Sequence, residues 1–180
     1  MKPRVEIFGG RTSGQVTLVE YDAAWPARFE RERAMIANAL GDVARSIDHI
    51  GSTAVPGLAA KRVIDVCVGV DDVEREESFR PALEAAGYVL RVREPGHRMF
   101  RTPSADVHVH LWPAAGEDIA RHLAFRDRLR ENAADRALYD RTKRELAKRN
   151  WAVRNDYAEA KGEVIAQITQ RARNVRSPNC

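Results

Sequence analysis

The feature that most constrains this chain is an apolar segment with a carboxylate in its middle. Residues 62–70 read RVIDVCVGV, and the side chains of a strand alternate between two faces. The alternation places Asp65 and Cys67 on one face and β-branched apolar side chains on the other. A carboxylate in such a strand is costly to desolvate unless a metal ion, a cation or hydrogen-bond donors receive it. The segment therefore predicts a sheet that packs on one face and carries chemistry on the other.

Length and cysteine usage set the class of protein. A chain of 180 residues can bury one sizeable core, so we expect a single domain over residues 1–180. The sequence has no secretory h-region and no apolar stretch near the roughly 18 residues that a membrane span requires. Cys67 lies inside an apolar segment and Cys180 is the last residue, so a disulfide framework is not indicated. These features predict a cytoplasmic protein without a membrane partner.

The basic charge is concentrated in the C-terminal part of the chain. Residues 1–115 hold 15 Lys and Arg against 16 Asp and Glu, whereas residues 116–180 hold 15 against 10. This excess can attract RNA, can neutralise the phosphates of a small nucleotide, or can form a solvated helical surface. The aromatic content of 7% shows no interleaved stacking pattern, so nucleic acid ranks last among these partners.

Hydrophobic periodicity and turn residues predict a mixed sheet over residues 17–115, followed by a helical cap over residues 116–173. A meander of three short strands is predicted over residues 88–112, where PG and PSA separate β-like segments. The other predicted strands cover residues 16–21, 43–50 and 62–70, and the predicted helices cover residues 22–40, 73–86, 117–132, 135–149 and 155–173.

A second strand segment, ADVHVHLW, carries two histidines on one face. His108 and His110 are two residues apart, so their imidazoles stand roughly 7 Å apart and point the same way. If this strand lies beside the Asp65 strand, one carboxylate and two imidazoles converge, which suits a metal ion or proton transfer. The alternative is that the histidines simply complete a polar sheet surface beneath the helices.

The segment HIGSTAVPG supplies a candidate phosphate-binding turn. Gly51 lets backbone amides approach an anion, and the hydroxyls of Ser52 and Thr53 can donate to phosphate oxygens. Ordinary turns use the same residues, so the spacing from this turn to Asp65 carries the interpretation. In nucleotidyl-transfer enzymes of the DNA polymerase beta type, a Gly-Ser turn precedes a metal-binding carboxylate by about a dozen residues.

Six ordered motifs resemble the GrpB family, a branch of the nucleotidyltransferase superfamily. The resemblance runs from Tyr21 to Ile168 and rests on the segments HIGSTAVPGLAAKRVIDVCVGV, HRMF, VHVHLW, HLAFRDRLR, LYDRTKRELA and DYAEAKGEVI. It implies an α+β fold, with a nucleotidyltransferase-like mixed β-sheet packed on helices and a C-terminal helical extension. It also implies a small cytoplasmic protein, and some family members are fused to dephospho-coenzyme A kinase.

The resemblance assigns a role to each matching residue. It implies that Gly51 and Ser52 hold phosphate and that Asp65 is the first metal carboxylate. Cys67 stands where active members of the superfamily carry a second acid, and His108 or His110 stands in place of a third. One carboxylate with two imidazoles suits Mn²⁺ or Zn²⁺ better than a pair of Mg²⁺ ions, or suits no metal. The residues expected to complete the anion pocket are Lys61, Arg98, Arg126, Lys143, Tyr157 and Lys161.

Two functions remain open at this point, one enzymatic and one a binding function. The first is metal-assisted transfer of a nucleotidyl group from an NTP to a small-molecule acceptor, with Asp65, His108 and His110 as catalytic and metal-binding residues. The second is a catalytically degenerate protein that binds a nucleotide or a coenzyme A-like ligand. The missing carboxylates favour the second, whereas the first rests on analogy of fold.

Overall fold

A six-stranded mixed sheet forms the centre of the computed structural model, which describes residues 5–9, 15–151 and 154–176. The strands are β1 (Glu6–Ile7), β2 (Ser46–Ile50), β3 (Ile64–Val70), β4 (Val89–Glu94), β5 (His97–Arg101) and β6 (Val107–Pro113). The helices are α1 (Trp25–Leu40), α2 (Arg80–Ala85), α3 (Glu117–Glu131), α4 (Ala133–Ala147), α5 (Arg154–Glu159) and α6 (Gly162–Arg176). The order across the sheet is β1-β4-β5-β6-β3-β2. Only β3 and β6 pair in parallel, and the predicted α+β class is confirmed.

One face of the sheet packs against α1 and α2 and holds the main core. The side chains at alternate positions of β3 and β6 point to this face, and α1 covers them with Trp25, Phe29, Ile36 and Leu40. Their burial follows the spacing of one apolar side of a helix. The buried strand residues on this face are Ile64, Val66, Val68, Val70, Leu90, Phe100, Val107, Val109 and Leu111.

The opposite face is covered in part by α3, with α4 and α6 packed beyond it. Ile119 of α3 packs against Ile50, Cys67 and Trp112 on the strands. The loop over residues 51–60 packs into α3, α4 and α6 through Val55 and Leu58, together with Leu129, Tyr139, Val164 and Ile168. The C-terminal helices therefore lie against the end of β2 and the start of β3.

Two predicted helices are interrupted in the structure. The predicted helix over residues 73–86 is a one-turn 3-10 helix at Glu76–Ser78 followed by the short α2. Pro81 lies in the first turn of α2, where its missing N–H is tolerated, but it cannot continue a helix from residue 73. The predicted helix over residues 155–173 is divided into α5 and α6, and the break carries Lys161 just before Gly162.

The sheet differs from the prediction at its margins. The predicted strand over residues 16–21 forms only an isolated bridge from Val19 to Ala60. Two residues, Glu6 and Ile7, pair with β4 outside the predicted limits of the sheet. The predicted meander is confirmed, because β4, β5 and β6 pair antiparallel in sequence order. Cys180 lies outside the described residues.

Candidate functional site

Asp65, His108 and His110 converge on the face of the sheet that α3 covers in part. β3 and β6 are neighbours, and their register pairs Asp65 with His108 and Cys67 with His110. The Nδ1 atom of His108 lies 3.3 Å from Oδ1 of Asp65, and the Nε2 atom of His110 lies 3.7 Å from the same oxygen. The predicted juxtaposition across neighbouring strands is therefore present in the structure.

The three donor atoms have the composition and spacing of a divalent-metal site. Their ligand atoms all lie within 4.8 Å of one another, and all three side chains are half-buried. Burial raises the pKa of the Asp65 carboxyl, but the opposing effect of His108 and His110 is larger. The pKa of Asp65 therefore lies well below its ordinary value. Asp65 is therefore an anion at neutral pH. Two imidazole nitrogens with one carboxylate oxygen suit Zn²⁺ or Mn²⁺, whereas Mg²⁺ prefers oxygen ligands.

A hydrogen-bonded chain behind His110 sets which nitrogen faces Asp65. Glu94 Oε1 lies 2.6 Å from Nδ1 of His97, and Nε2 of His97 lies 3.1 Å from Nδ1 of His110. Burial lowers the pKa of His97 to about 4, so its ring is neutral and donates from Nδ1 to the carboxylate. Its Nε2 then accepts from Nδ1–H of His110. The Nε2 atom of His110 is the ring nitrogen that faces Asp65, 3.7 Å from Oδ1, and it would be the ligand atom toward a bound cation.

Sequence reasoning did not find His97 or the rings stacked around it. His97 and His110 both stack on Trp112, with ring centroids 4.7 and 5.3 Å away, and His122 of α3 lies 4.7 Å from the same indole. The sequence offers only a partial signal, because the predicted meander puts the strand of His97 next to that of His110, whereas the register between the two strands comes from the structure. Met99 is the register partner of His110, so antiparallel pairing places His97, two residues before Met99, diagonally across from His110.

Gly51 brings the turn before β3 against the carboxylate of Asp65. Its φ is +73°, and a Cβ atom added to it would lie 2.5 Å from Oδ2 of Asp65. Both the left-handed backbone and the close approach require glycine at this position. The turn formed by Gly51 and Ser52, which we call the Gly-Ser turn, therefore lies beside the metal-type donor set.

Three lysines, Lys61, Lys143 and Lys161, lie around two buried tyrosines next to the Gly-Ser turn, and we call them the lysine cluster. The Nζ atom of Lys143 lies 3.0 Å from Oγ of Ser52 and 4.9 Å from the ring centroid of Tyr139. Lys161 and Lys61 lie over the ring of Tyr157, at 4.9 and 5.8 Å from its centroid. Lys143 contacts the Gly-Ser turn directly, whereas the phosphate-binding roles expected of Lys61, Tyr157 and Lys161 stay predictions.

Burial disfavours the positive charge of two members of the lysine cluster, Lys143 and Lys161. Lys143 is 2% exposed, and burial lowers its pKa to about 7. Burial also lowers the pKa of Lys161, against the opposing attraction of Asp65. The hydroxyl of Tyr157 is buried and has no hydrogen-bond partner within the described ranges of the chain. A cluster of amines beside an unsatisfied hydroxyl is suited to an anionic ligand with several acceptor oxygens.

The side chains of Thr53 and Arg126 hydrogen-bond protein groups and do not face the lysine cluster. Thr53 is buried and donates from Oγ1 to the carbonyl of Val63, with His49 Nε2 at 3.0 Å from the same hydroxyl. Arg126 donates to the carbonyl of His49 at 3.1 Å and to Asp127 at 2.8 Å. The expected phosphate contacts of Thr53 and Arg126 therefore have no support in their geometry, because both side chains are committed to protein groups.

Arg98 lies on the wrong face of the sheet for the predicted anion pocket. Its register partner is Leu111, whose side chain packs into the core beneath α1 and α2. It is 4% exposed and donates to Glu74 at 2.6 Å and to Glu76 at 2.5 Å. Its charge is therefore neutralised within the protein, and the expected placement of Arg98 in the pocket is corrected.

Sequence and structure comparisons place the chain among known proteins. The family profile described as GrpB protein matches residues 15–171. The chain belongs to the GrpB family. A UPF0157 protein of Streptomyces coelicolor is 50% identical to this GrpB-family chain over 169 residues, covering 93% of the chain and 90% of that protein. A UPF0157 protein of Halalkalibacterium halodurans is 43% identical over 163 residues, covering 89% and 84% respectively.

A solved relative supports the same assignment of fold. The crystal structure of conserved protein GrpB from Enterococcus faecalis superposes with a TM-score of 0.79 at 32% identity, covering 90% of this chain and 100% of that one. A dephospho-CoA kinase of Mycobacterium bovis is 40% identical over 74 residues, which is 39% of this chain and 18% of that protein. Within the described residues, no helix has the length and apolar character needed to cross a bilayer.

Proposed function

We propose that this GrpB-family protein transfers a nucleotidyl group from an NTP to a small-molecule acceptor, with the help of a divalent metal ion. One observation carries the proposal: the donor set of Asp65, His108 and His110 lies beside the Gly-Ser turn and the lysine cluster. Metal ligands next to clustered cations are what the phosphates of a nucleotide require.

Asp65, His108 and His110 would hold Mn²⁺ or Zn²⁺. Such an ion would neutralise charge on the phosphate oxygens and, as a Lewis acid toward those oxygens, would make the phosphorus more electrophilic. The protein supplies the orientation of these ligands: the Glu94–His97 pair fixes the tautomer of His110.

The lysine cluster and the Gly-Ser turn would bind the phosphates. Lys61 and Lys161 supply positive charge at the rings of the tyrosines, and the hydroxyl of Tyr157 can donate to a phosphate oxygen. Lys143, Tyr139 and Tyr157 are buried, and electrostatic interactions are stronger in such an environment than in water. Binding of a highly charged ligand also offsets the repulsion among the lysines themselves.

The second candidate is a protein that binds a nucleotide or a coenzyme A-like ligand without catalysis. The donor set contains only one carboxylate, and Cys67 is a buried apolar-type side chain at the position expected for a second one. Burial raises the pKa of the Cys67 thiol to about 12, so the thiol does not replace that carboxylate as an anionic ligand. The dephospho-CoA kinases that share part of this sequence make a coenzyme A-like ligand a reasonable probe.

Thermal-shift and turnover measurements with Asp65→Ala test the proposal. We expect NTP to raise the melting temperature of the parent protein mainly when Mn²⁺ is present, because bound ligand stabilises the folded state by mass action. We also expect release of pyrophosphate. Asp65→Ala should lose the metal-dependent part of both signals. Asp48→Ala is the matched control, since Asp48 lies on the same face, one strand away, opposite Cys67.

The outcomes separate the two candidates. Metal-dependent NTP binding without pyrophosphate release in the presence of candidate acceptors supports the binding protein. Metal-dependent turnover that survives unchanged in Asp65→Ala contradicts the role of Asp65 in both.

A further inference from the structure

Ser52, which is half-buried, and Lys143, which is buried, form a pair with the geometry of a nucleophile and its base. The Nζ atom of Lys143 lies 3.0 Å from Oγ of Ser52, and it also hydrogen-bonds the carbonyl of Ala59. A neutral amine has two N–H donors and one lone pair, so it can donate to Ala59 and accept from Ser52 at the same time. A serine is activated in this way when a base lies within hydrogen-bonding reach.

The surroundings of Lys143 favour the neutral amine. The side chain is 2% exposed, and it forms no salt bridge with any carboxylate in the part of the chain that the structure describes. Lys161 and Arg144 repel its positive charge, whereas Asp140 attracts it. Asp140 is itself engaged by Arg144, whose Nε lies 2.7 Å from Oδ2. Burial is the main cause that lowers the pKa of Lys143, and with these neighbouring charges it brings that pKa to about 7. A large fraction of the amine is therefore neutral near neutral pH.

We propose that Ser52 is a nucleophile toward phosphorus, with Lys143 as the general base that takes the proton from its hydroxyl. In this step the Oγ–P bond forms while the bond from phosphorus to the leaving group breaks. The hydroxyl proton moves to Nζ of Lys143. With an NTP the leaving group is pyrophosphate, and Ser52 becomes esterified with a nucleoside monophosphate.

The choice of a phosphate ester as substrate rests on the proposed function, whereas the activation of Ser52 does not. Lys161 lies over the ring of Tyr157, and the charge of Asp65 acts on it. Lys161 would therefore supply positive charge to an anionic phosphate bound next to Ser52. An ammonium formed on Lys143 during the step would remain bonded to the Ala59 carbonyl. The same pair would also react with a neutral organophosphorus probe that carries a good leaving group.

A fluorophosphonate probe tests the activation of Ser52 without any nucleotide. We expect covalent labelling with release of fluoride, located on Ser52 by peptide mass spectrometry. Ser52→Ala should abolish it, and Lys143→Met should slow it by about 100-fold, the contribution typical of a general base. Ser104→Ala is the matched control, because Ser104 is exposed and bonds only Asp106 among the contacts described. The labelling rate of the parent protein should rise with pH through the pKa of Lys143.

Three outcomes overturn the inference: labelling at residues other than Ser52, labelling of Lys143→Met at the parental rate, or a rate that does not change between about pH 6 and about pH 8. The pH profile uses the parent protein, so it decides the matter even if a variant fails to fold.

A second incubation, with Mn²⁺ and NTP, separates this inference from the proposed function. Labelling by the probe without metal-dependent NTP binding supports the nucleophile and contradicts nucleotide transfer. Turnover of NTP by a protein that the probe does not label supports nucleotide transfer and overturns the nucleophile.

Discussion

On the face that α1 and α2 cover, Arg98 is 4% exposed and bonds Glu74 and Glu76. On the face that α3 covers in part, Lys143 is 2% exposed and bonds a hydroxyl and a backbone carbonyl. Burial of a cation is unfavourable on both faces, but only Arg98 forms ion pairs with carboxylates that compensate for it, whereas no ion pair of Lys143 is found among the described residues. Arg98 is part of a network of ion pairs within the protein. Lys143 is available to a ligand or to a reaction.

Removal of each cation should distinguish the two faces, and it is the largest effect that we expect. Arg98→Met leaves Glu76 partly buried with fewer partners and should lower the free energy of unfolding by about 3 kcal/mol. Lys143→Met leaves no carboxylate behind and relieves the burial of an amine, so the lost hydrogen bonds to Ser52 and Ala59 should cost at most about 1 kcal/mol and the variant can even be more stable than the parent. Urea unfolding at neutral pH measures both. Equal losses would mean that Lys143 is as fully compensated as Arg98.

A glycine pair tests the close approach of the Gly-Ser turn to Asp65. Gly51 and Gly57 have φ values of +73° and +77°, but only a Cβ at Gly51 meets a neighbour. Gly57→Ala should therefore cost about 1 kcal/mol, the strain of a left-handed alanine. Gly51→Ala should cost more, about 2 to 3 kcal/mol, and should also weaken Mn²⁺ or Zn²⁺ binding, because Asp65 must move. Similar metal affinities in the two variants would contradict contact between the turn and the donor set.

The chain from Glu94 through His97 to His110 should tune metal affinity. His97→Phe keeps a ring over Trp112 but removes the hydrogen bond to His110, so Zn²⁺ affinity should fall by about 10-fold or more. His122→Phe replaces another ring that contacts Trp112, and it should leave Zn²⁺ affinity unchanged. Competition with a chromogenic chelator measures both affinities. A loss of the same size in both variants would assign the effect to packing and not to the tautomer of His110.

The two faces should respond to pH in separate ranges, and in each range stability should rise with pH. Arg93 lowers the pKa of Glu76 to about 2, with a further contribution from Arg98, so its stabilising contribution is present above its ordinary value and is lost on acidification. Burial lowers the pKa of Lys143 to about 7 from 10.5. The unfolded chain then binds the extra proton, and stability rises with pH between these two values.

Urea unfolding across the pH range checks this contrast. Lys143→Met should lose the rise in stability above neutral pH and keep the acid loss, whereas the parent protein should show both. A parent protein whose stability does not rise above neutral pH would contradict the lowered pKa of Lys143.

The alternation of side chains along a strand was enough to predict which face of β3 and β6 carries the polar side chains. It placed Asp65, His108 and His110 correctly, since the alternation of a strand is a local property. It could not place Arg98. The pairing of Arg98 with Phe100 on one face was correct, but the register of β5 against β6 sets that face toward the core. Register depends on contacts between distant segments, and it is not encoded in either strand alone.

Other misses have the same origin in non-local contacts. Thr53 and Arg126 have the residue types of a phosphate site, but partners from Val63 and β2 occupy them. His97 was overlooked because its role depends on a hydrogen bond across strands. Local chemistry explains the remaining differences. Pro81 lies in the first turn of α2, so α2 begins later than predicted, and Lys161 lies in the break between α5 and α6.

Diffraction from crystals soaked with Mn²⁺ and a non-hydrolysable NTP analogue tests the central claim most directly. We predict an anomalous peak bonded to Asp65, His108 and His110, with phosphate oxygens at the Gly-Ser turn and the lysine cluster. The same soak of Asp65→Ala should lose the peak. Phosphates bound on the face of Arg98, or an ion elsewhere with nothing beside Ser52, would contradict a shared metal and phosphate site on this face.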